Sequence, residues 1–318
     1  MAEAVTKQAG DSIDWTPTAA VAAGEVILLP DGRAAYAPTA IAAGVKGAVQ
    51  VCGIVTLLKT AAMVMLKGSK VYWDHSASTA SLLFGANTRD FFVGVVQDTA
   101  AASDTTVNVA LNVEPKYTLA LEDGFSSLPI STAGFTKLVG HDNGASFIFD
   151  ATAEAQKLDA LSLRGIAANT PGILSALVSI NVNGDDAAFD LNVGLANATH
   201  ATDADSITES LFAHVDGGNL SLNFGSDDTS SAQAVVDSTL DAVLLTPVLI
   251  QWDLTDWSDI KAYVNGVRVL DGTTGADTTL DISAAVGPMK LLAHMEKTSN
   301  DSPGNVTVMD LGFTAFDV

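Results

Sequence analysis

The sequence predicts an all-β protein with two domains: a small amino-terminal β-barrel or sandwich and a larger carboxy-terminal jelly-roll sandwich. Three observations carry that expectation. Gly and Pro, 26 and 9 of 318 residues, break the chain into short runs rich in Val, Ile, Thr and Phe. Several of those runs alternate apolar and polar residues at period 2, the mark of a strand with one wet face. Long stretches with apolar residues at i, i+3, i+4 and i+7 are lacking, so helix signals are poor.

Charge divides the chain before its elements do. Hydrophobic residues make up 48% and charged residues 16%, which is ample for a core and unlike a disordered chain. Residues 1–113 hold 7 Lys/Arg against 9 Asp/Glu, whereas residues 114–318 hold 8 against 28. The boundary falls before Glu114-Pro115, a step that disfavours continued regular structure. The expected organisation is a domain over 1–113, a linker over 114–125 and an acidic sandwich over 126–318. A near-neutral domain can lie against another protein without strong like-charge repulsion; an acidic one suits water. The net charge of −22 disfavours a nucleic-acid partner and an anionic membrane surface. The apolar stretch around Ile54–Leu66 is interrupted by Lys59, so no membrane span is expected. The opening MAEAVTKQAGDSIDW lacks a basic segment followed by an apolar one, so no signal peptide is expected.

In the first domain, strands are expected at Glu25–Leu29, Gly47–Val55, Lys70–Trp73, Phe91–Gln97 and Thr105–Val113. The last is the clearest, with Val107, Val109, Leu111 and Val113 alternating with Thr106, Asn108, Ala110 and Asn112. Pro30-Asp31-Gly32 is turn chemistry. Ala22-Ala23-Gly24 is echoed by Ala42-Ala43-Gly44, each a small-residue turn ahead of a Val-containing strand. The single cysteine, Cys52, cannot form an intrachain disulfide and lies in an apolar run, so it is expected as a buried small hydrophobe.

The order of these pieces resembles a known family. Ala22-Ala23-Gly24-Glu25-Val26 is followed by Ile41-Ala42-Ala43-Gly44 with Gly47, then Gly53-Ile54 and Lys67-Gly68-Ser69-Lys70-Val71-Tyr72-Trp73-Asp74. Val93-Gly94-Val95 and Asp104-Thr105-Thr106-Val107-Asn108-Val109 complete the series. It is similar to the capsid decoration (cement) proteins of tailed phages over essentially all of residues 1–113. That resemblance implies a structural virion protein on the outer surface of the capsid, with the major capsid protein as partner. A recombinase role sometimes attached to such domains finds no support, since no Gly-x-x-x-x-Gly-Lys-Ser/Thr phosphate cradle is present.

In the second domain, strands are expected at Ser146–Asp150, Leu174–Val182, Ala187–Leu195, Leu211–Val215, Leu220–Phe224, Pro247–Leu254, Ile260–Val264, Val267–Leu270, Met289–Met295 and Val306–Phe316. Asn265-Gly266 between Tyr263-Val264 and Val267-Arg268 is the strongest hairpin signal, because both central residues of a type I′ turn need positive φ. Leu220–Phe224 with Gly225, the Trp252-Asp253 strand leading to Tyr263-Val264-Asn265-Gly266, and the closing Leu311–Phe316 resemble concanavalin-like (laminin-G-type) sandwiches. That resemblance implies a lectin-like module that binds glycans or protein surfaces.

Catalytic chemistry is not assigned. His75, His141, His200, His214 and His294 are scattered, none at zinc-ligand spacing from another. The acidic clusters Asp185-Asp186 with Asp190, Asp203/Asp205, Asp227-Asp228 and Asp253/Asp256/Asp259 lack a complete calcium loop and are expected as a solvated rim. No Gly-x-Ser-x-Gly elbow nominates a nucleophile. No catalytic residue, metal or cofactor is therefore expected. Val5, in a polar first dozen residues expected to act as an arm, joins Trp15, Arg33 and Tyr36 as candidate docking residues. Trp257, flanked by Asp256, Ser258 and Asp259, is the aromatic expected to be exposed and able to stack on a sugar. The expected function is capsid cementing by a homotrimer, without enzymatic activity. The rivals are a virion adhesin for host-surface glycans and an extracellular polysaccharide-degrading enzyme.

Overall fold

A computed structural model describes residues 10–316 except 86, 122–124, 127–133, 135, 142–143, 185–188, 202 and 279. The chain forms two compact units, 1–115 and 116–318, and among the described residues the paired strands in both are antiparallel apart from one isolated bridge. No helix among the described residues is long and apolar enough to cross a membrane.

Among its described residues the first unit has nine strands: β1 Ser12–Trp15, β2 Val26–Leu28, β3 Ala34–Tyr36, β4 Gly47–Gln50, β5 Ile54–Leu58, β6 Lys70–Asp74, β7 Thr79–Ser81, β8 Phe91–Val96 and β9 Thr106–Leu111. They form a four-stranded sheet, β1-β4-β3-β2, and a five-stranded sheet, β5-β9-β8-β6-β7. The expected Gly47–Val55 strand is thus two strands in different sheets, parted at Gly53 with φ +100°. The alternation expected in β9 holds through Leu111, with Val107, Val109 and Leu111 buried and Asn108 and Ala110 half-exposed, but Val113 lies past the strand and is exposed. Gly94 is required where β8 crosses β9, because a Cβ there would sit 1.9 Å from the Ala110 carbonyl oxygen.

The Ala-Ala-Gly echo has a structural counterpart. Val21 and Ile41 exchange both backbone hydrogen bonds at 2.9 Å, and each enters a turn closed by a left-handed glycine, Gly24 or Gly44. Met65 and Ala100 exchange the same pair of bonds in the second half of the unit. Asn112, just past β9 at φ +55°, ties the two sheets together. Its amide donates to the Ala34 and Val51 carbonyls at 2.9 and 2.6 Å and accepts from Ala34 N–H at 2.8 Å.

The second unit holds β10 Leu119–Ala120, β11 Phe125–Ser126, β12 Thr136–His141, β13 Gly144–Phe149, β14 Glu154–Ser162, β15 Gly172–Val182, β16 Phe189–Ala196 and β17 Glu209–Asp216. It continues with β18 Ser221–Asp228, β19 Ala232–Asp241, β20 Val248–Asp253, β21 Lys261–Val264, β22 Val267–Arg268, β23 Lys290–Asn300 and β24 Gly304–Ala315. One sheet runs β12-β13-β24-β15-β20-β21-β22, with β10 also on β24; the other runs β11-β14-β23-β16-β17-β18-β19. Residues 119–120, expected within a linker, therefore pair into the sandwich, and the Tyr117 hydroxyl donates to Asp310 at 2.7 Å. Phe147, Leu174, Trp252 and Phe313 from one sheet meet Leu158, Leu191, Phe224 and Met295 from the other in one core. Edge-on ring pairs Phe149–Phe189 and Phe224–Trp252, both at 6.1 Å, bridge the layers. The predicted hairpin is present, with Asn265 and Gly266 at φ +50° and +77°.

Candidate functional site

The outer face of the seven-stranded sheet carries a patch of polar residues in strand register, beside an apolar cluster of Leu161, Ala196, Phe212 and Leu292. One row crosses it as Asp159, His294, Asn192, His214 and Asn223, on β14, β23, β16, β17 and β18. The next row runs Lys157, Glu296, Asp190 and Asp216. Side chains two residues apart on a strand share a face, so the rows stack into one patch.

The β16–β17 connection folds over this patch. Its 3-10 turn, Ala204–Ser206, is capped by Asp203, and Ala204 and Ile207 pack on Leu161, Ala196, Phe212 and Leu292. Charges beneath are consequently dry. His294 is fully buried, with Nδ1 2.6 Å from Asp159 Oδ1 and Nε2 3.0 Å from Glu296 Oε2. Lys157 Nζ lies 2.9 Å from Asp159 Oδ2 and donates to the His200 carbonyl. Burial would push the His294 imidazole down, but its bonds to Asp159 and Glu296 prevail and raise it.

His214 lies beside this network. Its Nδ1 is 2.8 Å from Asn192 Oδ1 and 3.4 Å from Asp205 Oδ1. Its Nε2 is 2.8 Å from Asp216 Oδ1 and 3.8 Å from Asp190 Oδ1. Burial opposes its charge, yet Asp205, Asp216 and Asp190 together raise it to about 9. Burial raises the Asp190 carboxyl to about 7; His214 opposes that shift, while Glu296, Asp216 and Asp205 reinforce it. Among the described residues, Asp190, His214 and Asp216 are the group whose ligand atoms cluster closely enough to hold a metal ion.

The residues nominated from sequence for docking and sugar stacking are not in this patch, whereas His214, His294, Asp190 and Asp205, to which sequence assigned no ligand role, are in it. Trp257 is 3% exposed in the sandwich core, with Nε1 donating to the Thr170 carbonyl at 2.8 Å. Its polar neighbours misled: Asp256 turns back to Ser258, and the indole points inward. A buried Trp257 offers no platform for a sugar. Val5 lies outside the described residues. Trp15 is half-buried against the four-stranded sheet's core, Tyr36 is half-exposed on β3, and Arg33 is held by Asp31 at 2.7 Å. Cys52 is half-buried with Sγ 3.1 Å from Asp11 Oδ1, not the packed hydrophobe expected.

A different apolar surface is present on the first unit. The outer face of the five-stranded sheet leaves Ile54 and Leu58 about 60% exposed on edge strand β5. Farther across, Tyr72 stands edge-on to Phe84 at 5.5 Å and to Phe92 at 5.9 Å, with Phe84 60% exposed. Half-exposed Val95 lies between these groups, opposite Ala110 of β9. Alternation alone marks one face of β5 and β8 as buried, but not that the other face also stays apolar.

No curated protein matches this sequence. Among solved structures, the carbohydrate recognition domain of Emp47p is 8% identical with a TM-score of 0.40, covering 63% of this chain and 94% of that one. An endo-β-1,4-glucuronan lyase from the fungus Trichoderma reesei is 9% identical with a TM-score of 0.43, covering 63% and 96%. A carbohydrate esterase from the Shiga toxin-encoding bacteriophage phi24B is 11% identical with a TM-score of 0.36, covering 61% and 91%. Residues 7–111, nearly the whole of the first unit, match the family model of the phage cement protein.

Proposed function

We propose that this chain is a structural virion protein that binds the outer surface of a tailed-phage capsid and stabilises it. The match of residues 7–111 to the phage cement protein family carries this reading. The surface of the same unit supports it. Ile54, Leu58, Tyr72, Phe84, Phe92 and Val95 lie on one outer face, which also holds Thr56, Asn108 and Lys70, and aromatic groups in such a face serve as anchors in protein interfaces. Low net charge over residues 1–113 lets that face approach a capsid subunit, while the acidic sandwich remains in solvent. Docking across a seam adds contacts that shell dissociation must break, so the work is done by binding and not by catalysis. Seats where identical capsid subunits converge favour closed symmetry, and the chain occupies them as a homotrimer.

The test is co-sedimentation of the full chain with mature heads lacking their decoration protein. Wild type should pellet with the heads and raise their disruption temperature. A Tyr72→Ser/Phe84→Ser variant should lose at least tenfold in occupancy, the scale of an interface anchor, while keeping its circular dichroism spectrum. Equal occupancy by the two proteins would overturn the assignment of this face; no occupancy by wild type would overturn the function.

A further inference from the structure

We propose that the outer face of the seven-stranded sheet binds one first-row transition cation through His214 Nε2 and a carboxylate oxygen each from Asp190 and Asp216. The inference is independent of capsid docking. Strand pairing builds the site: Asp190 on β16 stands opposite Asp216 on β17, and His214 precedes Asp216 by two residues on the same face. The three ligand atoms lie within 4.8 Å of one another. A tetrahedral cation with bonds of about 2.1 Å holds its donors about 3.4 Å apart, so small side-chain adjustments complete the shell.

Binding releases to solvent the proton that His214 Nε2 shares with Asp216, and the surroundings are otherwise those of a ligating imidazole. Asn192 Oδ1 at 2.8 Å, with Asp205 Oδ1 at 3.4 Å, holds Nδ1 and fixes the ring so that Nε2 faces the two carboxylates. His214 is sealed from below at 5% side-chain exposure, whereas Asp190 and Asp216 are 22% and 37% exposed, leaving a solvent side for water or an exchangeable ligand. One imidazole nitrogen with two carboxylate oxygens suits Zn²⁺, Co²⁺, Ni²⁺ or Mn²⁺. Ca²⁺ prefers six to eight oxygen donors and gains little from imidazole.

The experiment titrates ZnCl₂, and separately CaCl₂, into chelator-stripped full-length protein by calorimetry, with melting temperature as a second readout. Wild type should bind one Zn²⁺ per chain and melt higher with it, and should give no comparable response to Ca²⁺. Asp216→Asn and His214→Gln should each weaken Zn²⁺ binding at least tenfold and lose the melting shift. Should the buried His214→Gln variant fail to fold, Asp216→Asn, at a more exposed position, decides alone. Absent Zn²⁺ binding by wild type, unchanged affinity in Asp216→Asn, or tighter binding of Ca²⁺ than of Zn²⁺ would each overturn the proposal.

Discussion

The five-stranded sheet of the first unit and the seven-stranded sheet of the second treat their outer faces in opposite ways. The first leaves apolar side chains in water, with Ile54, Leu58 and Phe84 each about 60% exposed. The second carries charges on its outer face and then buries them, so that Asp159 and His294 have no exposure at all. Exposed apolar area retains free energy that only a partner can release. Buried charge has already been compensated within the chain, and removing one member strands another. The comparison teaches where to look: an exposed, largely apolar face on the first unit, and a polar network buried by its own chain on the second.

The largest expected effect lies in the second unit's core. Trp257→Ala removes a buried indole and its bond to Thr170, and should destabilise that unit by about 3–5 kcal/mol in chemical denaturation. Loss of sugar binding with unchanged stability would instead return Trp257 to the surface. Asp159→Ala comes next, at about 3 kcal/mol, because it leaves His294 and Lys157 charged without their shared partner. A near-neutral result would mean that the outer-face network is solvated, and the contrast between the two sheets would collapse.

In the first unit, Asn112→Ala should cost about 2 kcal/mol, since three hydrogen bonds joining its sheets disappear at a position whose positive φ favours Asn. The pH response is the gentlest probe. His294 and His214 both have raised folded values, so their stabilisation is complete below about pH 6.5, the usual His value, and is lost as pH rises through those values, about 9 for His214. Asp190, raised to about 7, adds a loss between its ordinary value near 4 and 7. Melting of the second unit in metal-free buffer should therefore fall from pH 5 to pH 9. A rise over that range would contradict the network's charge assignment.

Much of the fold was legible because period-2 patterning reports a sheet with unlike faces. β9 and the Asn265-Gly266 hairpin were readable for that reason. The pattern failed where both faces carry the same character or the polar face is buried. β14 was not predicted: Lys157 and Asp159 look like surface residues in sequence, yet both are buried beside Leu158 and Ala160. The Ala-Ala-Gly echo was visible, whereas its counterpart at Met65 and Ala100 shares the backbone bonds without the residues. The polar site was invisible for a geometric reason. His214-x-Asp216 places two ligands on one face of a strand, but Asp190 joins them only through register across the 23 residues that separate it from His214. Trp257 was misplaced because its neighbours' polarity was read as its own, although in the turn over residues 255–259, between β20 and β21, its indole alone is turned into the core.

The most direct measurement is a cryo-electron microscopy map of mature phage heads saturated with the full-length chain. The account expects the two-sheet β unit of residues 10–115 against the outer shell, with the Tyr72/Phe84/Phe92 face in contact and the acidic sandwich away from it. Density showing the sandwich seated on the shell, or heads bare at saturating protein, would contradict it.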